Sequence, residues 1–145
     1  MIKNLEVNNN SDIKINKLLV HKIVGLLKNE FDFNISSLLI NFVSSNQIIK
    51  INKNYLNHNY STDIITFNYS SESKVFDSEI YISVEDAELN AEKYGVTFPE
   101  EILRLVVHGT LHLLGYDDKT PELKAKMKPV ENSLCRKYNM VLLKK

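Results

Sequence analysis

The sequence predicts an α+β fold, a single domain at residues 1–145 with a small mixed sheet of about four strands and about five helices. Three observations indicate this class. Segments with apolar residues at helical spacing alternate with short β-branched runs. A length of 145 residues suits one domain with a core of its own. No internal repeat, low-complexity tract or linker rich in proline and glycine divides the chain.

Two strands and two helices are predicted in the first part of the chain. Residues 2–7 are expected to form a short strand, and a helix follows from Ser11, because apolar residues recur at helical spacing as far as Leu27. Residues 35–43 are apolar and β-branched enough for a buried strand. Ser45 is expected to cap a short helix directly after that strand.

A hairpin and a third helix are predicted next. The stretch 57–61 is polar and loop-like, whereas the segments at 62–69 and 76–84 have the pattern of two strands. A polar segment joins them, so we expect the two strands to pair with one another. Ser83 is expected to cap the helix that follows, and Gly95 to end it.

The helix that begins near Pro99 is predicted to be the central one. Proline suits a first helical turn, and two glutamates follow it at the positive end of the helix dipole. The segment 102–114 is apolar on nearly every side, with Arg104 as the one charged residue before His108. A helix of this kind must be surrounded by other elements.

A last helix is predicted to start after the cap residue Thr120. Pro129 interrupts it, and because an interior proline deletes a backbone hydrogen bond, we expect two segments or a bend. Residues 101–145 carry nine basic and five acidic side chains, so this end of the chain is positive. A polyanionic partner would be drawn there, although an ordinary solvated helix rich in lysine explains the same count.

The segment HGTLHLLGYDD carries the strongest functional signal. His108 and His112 are four residues apart, so both rings lie on one side of a helix and can reach one ion. Gly115 is expected to end the helix, because glycine accepts the left-handed conformation. The turn then brings an acid back toward the pair. The spacing favours Asp118 as the third ligand and leaves Asp117 to orient a histidine ring or the turn.

Two imidazoles and one carboxylate predict one catalytic divalent ion, with zinc as the expected metal, because at least one coordination position stays open. A buried imidazole without a polar partner would cost about 1 to 3 kcal/mol, and an ion supplies a partner to both rings. The carboxylate cancels one of the two charges of the ion. A zinc-bound water would therefore be acidified less than at a site of three histidines, and manganese or iron would compete better.

Two other classes of metalloprotein share this ligand set. A zinc peptidase needs a glutamate directly after the first histidine as general base, and that position is Gly109, which disfavours a metallopeptidase. The triad of two histidines and one carboxylate in iron oxygenases also matches. Against an oxygenase, both histidines lie on one helix and no oxygenase-like run of strands is visible. Iron as the bound ion stays open.

The compartment is also predicted from the sequence. Cys135 is the single cysteine, which excludes an intrachain disulfide and suits a reducing cytoplasm; the residue is expected to pack against its neighbours in the last helix. No apolar run has the length of a signal peptide or a membrane helix. We therefore expect a cytoplasmic protein that does not contact a membrane.

With these residues in view, the chain resembles the YbeY family of metal-dependent endoribonucleases, also called rRNA maturation factors, over roughly residues 35–135. HGTLHLLGYDD is close to the family motif H-G-x-L-H-L-x-G-Y-D-H. The supporting stretches are TDIITF at 62–67, EIYIS at 79–83, and Met127 with Glu131. The resemblance implies a cytoplasmic bacterial enzyme with ribosomal RNA or the small ribosomal subunit as partner. It also implies a role in 3′ maturation of 16S ribosomal RNA and in ribosome quality control.

Two positions depart from the family pattern. Asp118 stands where the family motif ends in a third histidine. Leu56 follows Tyr55 at a position where the family usually carries an arginine, so a bidentate phosphate contact is missing. His58, in the polar loop, is a candidate to substitute as a donor or general acid, although an exposed loop histidine is usually just solvated.

Two functional hypotheses follow from these observations. In the first, an ion bound by His108, His112 and Asp118 polarises a phosphoryl oxygen and activates water to hydrolyse an RNA phosphodiester. In the second, favoured by Leu56, the protein is a non-catalytic, metal-stabilised factor that binds RNA or the ribosome. The candidates for holding the phosphate backbone are Lys119, Lys124, Lys126 and Lys128.

Overall fold

Nine helices and strands form the part of the chain that the computed structural model describes, residues 1–57 and 62–143. The four strands lie in one sheet, in which adjacent strands are parallel except for the antiparallel pair formed by the last two strands of the chain. The predicted α+β class with a mixed sheet is thereby confirmed. In chain order the elements are β1 (Leu5–Asn9), α1 (Lys17–Phe31), β2 (Asn34–Val43), α2 (Ser45–Leu56), β3 (Ile64–Asn68), β4 (Val75–Ser83), α3 (Val84–Tyr94), α4 (Phe98–Leu113) and α5 (Pro121–Leu142).

The strand order across the sheet is β1-β2-β4-β3. β2 pairs in parallel with both β1 and β4, while β3 pairs antiparallel with β4, with Ile64 opposite Ile82, as the predicted hairpin requires. β3 is therefore an edge strand. Side chains alternate between the two faces of a strand, so Ile64 contacts the main core and Ile65 the smaller cluster beneath α2.

Two predicted boundaries near the N-terminus are wrong by several residues, and asparagines explain both. β1 begins at Leu5 instead of residue 2, because Asn4 adopts a left-handed conformation, with φ of 67°, that a strand does not contain. α1 begins at Lys17 instead of near Ser11. The Asn16 side chain caps the helix there by accepting a hydrogen bond from a main-chain N–H of the first turn.

The predicted caps of the later helices are largely correct. Ser83 and Thr120 cap α3 and α5 as expected. The cap of α2 is Ser44 instead of the predicted Ser45. The Ser44 hydroxyl accepts a hydrogen bond from the main-chain N–H of Gln47 at 3.2 Å, and the Gln47 side-chain oxygen accepts one from the main-chain N–H of Ser44 at 3.0 Å. This reciprocal pair is a capping box, which places the first helical residue one position later than the cap.

α5 runs unbroken through Pro129, so the predicted division into two segments is wrong. Proline removes only one hydrogen-bond donor from the helix, and buried side chains anchor α5 on both sides of it. Met127 precedes the proline, and Leu134 and Tyr138 follow it; all three are buried in the main core. Tertiary packing of this apolar face holds the helix together despite the proline.

α4 is the central helix, as predicted, and packs against α1, α3 and α5 as well as the β3–β4 hairpin. Gly109 faces the sheet at close range. A Cβ atom at this position would come within 3.0 Å of the Ile64 Cδ1 and 3.2 Å of the Ile80 Cδ1. The absent side chain thus lets α4 lie close to the sheet and sets the position of the adjacent His108. None of the described helices combines the length and apolar character that crossing a membrane requires.

Gly109→Val is expected to lower the free energy of unfolding by about 2 kcal/mol or more, because its methyl groups must displace Ile64 and Ile80 from a close-packed contact. Denaturant unfolding measures this change. Ala125→Val, at an exposed position of α5, is the control and should change the free energy by less than about 1 kcal/mol. Equal stability of the two variants would contradict the close packing of α4 on the sheet.

Candidate metal centre

α4 presents two histidines side by side near its C-terminal end. The ring centroids of His108 and His112 are 4.6 Å apart, and their Nε2 atoms approach to 3.0 Å. Both rings are half-buried. The spacing of four residues therefore produces the shared face that the sequence predicts.

The turn after α4 brings Asp118 to the histidine pair. Gly115 adopts a φ of 106°, a region that side chains disfavour, and the Tyr116 N–H donates back to the Leu111 carbonyl at 3.0 Å. The chain thereby reverses. Asp118 Oδ2 lies 3.4 Å from His108 Nε2, and Asp118 Oδ1 lies 3.6 Å from His112 Nε2.

The hydrogen-bond partner of the Nδ1 atom determines the tautomer of His112. The Nδ1 atom lies 3.0 Å from the main-chain carbonyl oxygen of Tyr116. A carbonyl oxygen only accepts hydrogen bonds, so Nδ1 carries the hydrogen and donates it. In the neutral ring, Nε2 then has a free lone pair that points toward His108 and Asp118.

Glu131 of α5 fixes the tautomer of His108 in the same way. Its carboxylate, 1% exposed, forms a hydrogen bond with His108 Nδ1. Burial would raise the pKa of Glu131, but the hydrogen bond from His108 and the positive charges of Lys128 and Arg104 outweigh it, so the pKa lies below its ordinary value. An ionised Glu131 accepts the Nδ1 hydrogen and leaves a lone pair on Nε2.

Three acceptor atoms therefore converge on one point, namely Nε2 of His108, Nε2 of His112 and a carboxylate oxygen of Asp118. All lie within 4.8 Å of one another. Their separations of 3.0 to 3.6 Å match the roughly 3.3 Å between ligand atoms in a tetrahedral zinc site with bonds of about 2.0 to 2.1 Å. A proton would bridge two of the three acceptors, whereas one divalent ion satisfies them all. The cluster can hold a metal ion.

A network of buried charges supports Glu131. Arg104, on the turn before His108, binds Glu101 through two hydrogen bonds of 2.9 and 2.6 Å. Its guanidinium also lies 3.4 Å from Asp63 and 3.6 Å from Glu131. Burial alone would lower the pKa of Arg104, but these carboxylates raise it above its ordinary value. The guanidinium therefore stays positively charged. Arg104 thus joins α4 to α5 and to the start of β3.

Two clefts meet at the cluster, and Asp63, His108 and Asp118 line both. The first, with a volume of about 590 Å³, lies over α4 between α3 and α5, and we call it the α5 cleft. The second, of about 710 Å³, lies along the edge strand and is called the β3 cleft. Beyond the shared residues, the α5 cleft is lined by Asn90, Tyr94, Arg104, Lys124, Lys128 and Arg136, among others, and the β3 cleft by Leu56, Thr62, Thr66, Tyr116 and Lys119, among others.

The candidate phosphate contacts divide between these clefts. Lys124 and Lys128 line the α5 cleft and Lys119 lines the β3 cleft, whereas Lys126, which lies between the first two along α5, lines neither. Lys126 projects from a different face of the same helix, and its contact with phosphate stays a prediction.

The remaining candidates have local roles. Asp117 orients the turn and not a histidine, since its carboxylate accepts a hydrogen bond of 3.0 Å from the main-chain N–H of Lys119. Burial raises the pKa of the Cys135 thiol to about 12, which agrees with a packing role. His58, the candidate general acid, lies outside the described residues.

Comparison with known proteins decides the family. A family model described as Endoribonuclease YbeY matches residues 2–139. The chain belongs to the YbeY endoribonuclease family. A protein named Endoribonuclease YbeY from Chlorobaculum parvum is 38% identical over 123 residues, which cover 85% of this chain and 86% of that protein. One of the same name from Chlorobium phaeobacteroides is 34% identical over 134 residues, which cover 92% and 94%.

A solved structure is similar in fold. The solution structure of a Thermotoga maritima protein matches with a TM-score of 0.61 and 24% identity, covering 95% of this chain and 93% of that chain. Membership of the YbeY family supports an endoribonuclease role and RNA as the class of substrate.

Sequence reasoning about this YbeY family member missed the role of Glu131. A signal was present, because the residue falls on the apolar stripe of α5 with Met127 and Leu134. A charged side chain at such a position is buried only with a partner. The partner, His108, is 23 residues away and is brought near by the packing of α5 on α4.

Glu131→Gln is expected to weaken zinc binding by about tenfold to a hundredfold, because a neutral amide polarises and orients the His108 ring less strongly than a carboxylate. Competition with a chromophoric chelator at fixed pH measures the affinity. Glu122→Gln, an exposed glutamate of α5, is the matched control. If the two variants bind zinc equally well, Glu131 does not position the metal ligand.

Proposed function

We propose that this protein is a metal-dependent endoribonuclease that hydrolyses an RNA phosphodiester in the 3′ maturation of 16S ribosomal RNA and in ribosome quality control. In this proposal residues 1–145 act as one catalytic domain in the cytoplasm, with ribosomal RNA or the small ribosomal subunit as partner. The ligands of a single divalent ion, zinc by expectation, are His108, His112 and Asp118.

The convergence of three acceptor atoms carries the proposal. Two imidazoles with fixed tautomers and one carboxylate leave at least one coordination position for a phosphate oxygen or a water. A divalent ion held by His108, His112 and Asp118 would supply Lewis-acid polarisation of the phosphoryl group and would activate the attacking water. Glu131 and the Tyr116 carbonyl hold the imidazoles in place, and the two clefts beside the cluster offer space in which RNA would bind.

Replacing both histidines, in the variant His108→Ala with His112→Ala, is expected to abolish zinc binding and cleavage, because one carboxylate cannot hold the ion alone. Elemental analysis of protein purified without chelators reports the bound metal. Cleavage is measured on a transcript of the 16S 3′ region and on unrelated structured and single-stranded RNA, with zinc or manganese added.

The same assay contains its own control for contamination. If the double variant cleaves RNA as fast as the wild-type protein, the activity belongs to a contaminating nuclease. Wild-type protein that carries no metal and gains no activity with added zinc or manganese would contradict the proposed metal dependence. Equal cleavage of all RNAs would contradict the ribosomal target while leaving the nuclease activity in place.

A non-catalytic RNA- or ribosome-binding factor is the second candidate function, and Leu56 is the observation that favours it. Leu56 ends α2, is partly exposed and lines the β3 cleft beside the cluster. An arginine at this position could contact a phosphate through a bidentate fork, and leucine cannot. Binding of RNA without cleavage at full metal occupancy would support this candidate.

Leu56→Arg is expected to raise kcat/KM for RNA cleavage by about tenfold to a hundredfold, since a charge-assisted contact to phosphate contributes roughly 1.5 to 3 kcal/mol. Initial rates at fixed zinc measure the change. Leu89→Arg, at an exposed position of α3 that lines neither cleft, controls for the added charge. Equal rates for both variants would show that position 56 does not contact substrate.

A further inference from the structure

We propose that two copies of this chain form a twofold symmetric dimer, in which Leu89 of each copy enters an apolar groove at the start of α1 of the other copy. Glutamates surround the leucine and lysines line the groove, so the two parts of the surface are complementary in charge. The surface lies apart from the metal cluster, and the proposal goes beyond the proposed nuclease function.

The first part of this surface is a groove between the start of α1 and the start of α4, which we call the α1 groove. It has a volume of about 580 Å³. Two exposed lysines and a set of apolar side chains line it, namely Lys14 and Lys17 with Ile15, Leu19, Phe98 and Ile102. No acidic residue of the described part of the chain lines it. The groove therefore suits an apolar side chain that is accompanied by negative charge.

The second part is the exposed face of α3, which we call the α3 ridge and define as Glu85, Glu88, Leu89 and Glu92. These positions follow one another at intervals of three and four residues, so they share one side of the helix. Leu89 is 63% exposed. A single exposed leucine is ordinary on a protein surface. This leucine, however, is accompanied by three carboxylates, which is the chemistry that the α1 groove suits.

Phe98 joins the two parts of the surface. The residue lines the α1 groove and also the hollow of about 530 Å³ beside the α3 ridge. Because the two parts adjoin, a twofold axis near Phe98 places the ridge of each copy on the groove of the other, and both contacts form at once. Phe98 is half-buried and packs against the main core, so the centre of this contact is apolar.

The charges that would pair across the dimer have no partner within one copy. Among residues 1–57 and 62–143, no oppositely charged group lies within 4.0 Å of Lys14, Lys17, Glu88 or Glu92. Glu88 and Glu92 are one turn apart, and like charges at that spacing repel one another. Contact between ridge and groove relieves this repulsion and places a cation beside each carboxylate.

Other charged residues nearby do not neutralise this surface. Lys93, the single cation of α3, has its Nζ atom over the Tyr94 ring at 5.4 Å from the centroid. Asp12 forms no ion pair in the part of the chain that the structure describes. Glu85 accepts a hydrogen bond of 2.8 Å from the main-chain N–H of Ser45, so it is held within its own copy. The remaining two glutamates of the ridge carry the attraction for the lysines.

The start of α1 also favours carboxylates from another molecule. The first turn of α1 contains no acidic residue and begins with Lys17. Because the N-terminal end of a helix carries a partial positive charge, a lysine there is unfavourable and a carboxylate is favourable. Glutamates of a second copy would supply the negative charge that this turn does not have of its own.

The metal cluster stays accessible in such a dimer. Asn90 and Tyr94 line the α5 cleft, and at 3.6 residues per turn they lie on the side of α3 opposite to Glu88 and Glu92. Phe98 precedes His108 by ten residues, or about 15 Å along α4. Dimer formation therefore leaves metal binding and cleavage in each copy unchanged, and the two properties are tested separately.

Sedimentation velocity of the full chain over a range of concentrations measures the dimer dissociation constant. Wild-type protein is expected to change from monomer to dimer as its concentration rises and to form nothing larger. Since salt screens exposed ion pairs, the dissociation constant is expected to rise between about 50 and 500 mM NaCl.

Leu89→Asp is expected to raise the dissociation constant about a hundredfold or more. Twofold symmetry makes the change act twice, because it removes two leucines from apolar grooves and puts two carboxylates in their place. Val141→Asp, at an exposed position of α5 that lines neither part of the surface, is the matched control and should dimerise as the wild type does.

A charge exchange tests the pairing of ridge with groove. Lys14→Glu with Lys17→Glu makes the whole surface acidic, and Glu88→Lys with Glu92→Lys makes it basic. Each double variant is expected to be monomeric alone, whereas an equimolar mixture of the two is expected to form a dimer as tight as that of the wild type, because both contacts then join opposite charges. Recovery on mixing also shows that both variants are folded.

The control for net charge is Lys50→Glu with Lys53→Glu, at two exposed lysines of α2 outside this surface. Mixed with the basic variant, it leaves one of the two contacts repulsive, so it should not restore the dimer.

Three results would each overturn the dimer. They are wild-type protein that stays monomeric at every concentration, Leu89→Asp that dimerises as tightly as Val141→Asp, and a charge-exchange mixture that stays monomeric. Assemblies that grow beyond two copies would overturn the twofold arrangement. RNA cleavage per chain is assayed on the same variants. Monomeric variants that cleave as fast as the wild type agree with the proposal, and an inactive dimer would contradict the nuclease function alone.

Discussion

The close approach of two imidazole nitrogens is the constraint on which the rest of this structure depends. Nε2 of His108 and Nε2 of His112 lie 3.0 Å apart, and the Nδ1 hydrogens of both rings are already committed, one to Glu131 and one to the Tyr116 carbonyl. Two facing lone pairs repel one another, and a carboxylate beside them adds to the repulsion. A cation between them would turn the same geometry from unfavourable to favourable, so the cluster could hold one.

The buried charges around Arg104 are better understood as positioning than as stabilisation. Taking Glu101 and Glu131 out of water costs several kcal/mol each, and a buried ion pair often only repays that cost. The network instead holds the Glu131 carboxylate in a fixed position. The guanidinium is held by Glu101 at two points and by Asp63, and it lies 3.6 Å from Glu131 on the neighbouring helix. The carboxylate that orients His108 is thereby held between α4 and α5 instead of being free to rotate.

The sequence predicts the contacts between residues that are close along the chain and misses those that depend on how helices pack. The motif on α4 was predictable because its three members are at most ten residues apart, so helix periodicity and one glycine turn bring them together. The strands and most caps were predictable for the same reason. Glu131 was not, because its contact with His108 depends on how two helices pack. The starts of β1 and α1 were also missed, since an asparagine at each point overrides the apolar pattern.

This chain departs from the family pattern at two positions, and both departures reduce the positive charge near the cluster. Asp118 in place of a third histidine leaves a bound divalent ion with one net charge instead of two, and Leu56 in place of an arginine removes a second positive group from the β3 cleft. Both changes weaken the attraction of the centre for phosphate. In the proposed nuclease, further attraction would come from α5, where Lys124, Lys128 and Arg136 share one face. A substrate held mainly by flanking phosphates binds through many weak contacts, so its affinity depends steeply on salt and on the length of the strand.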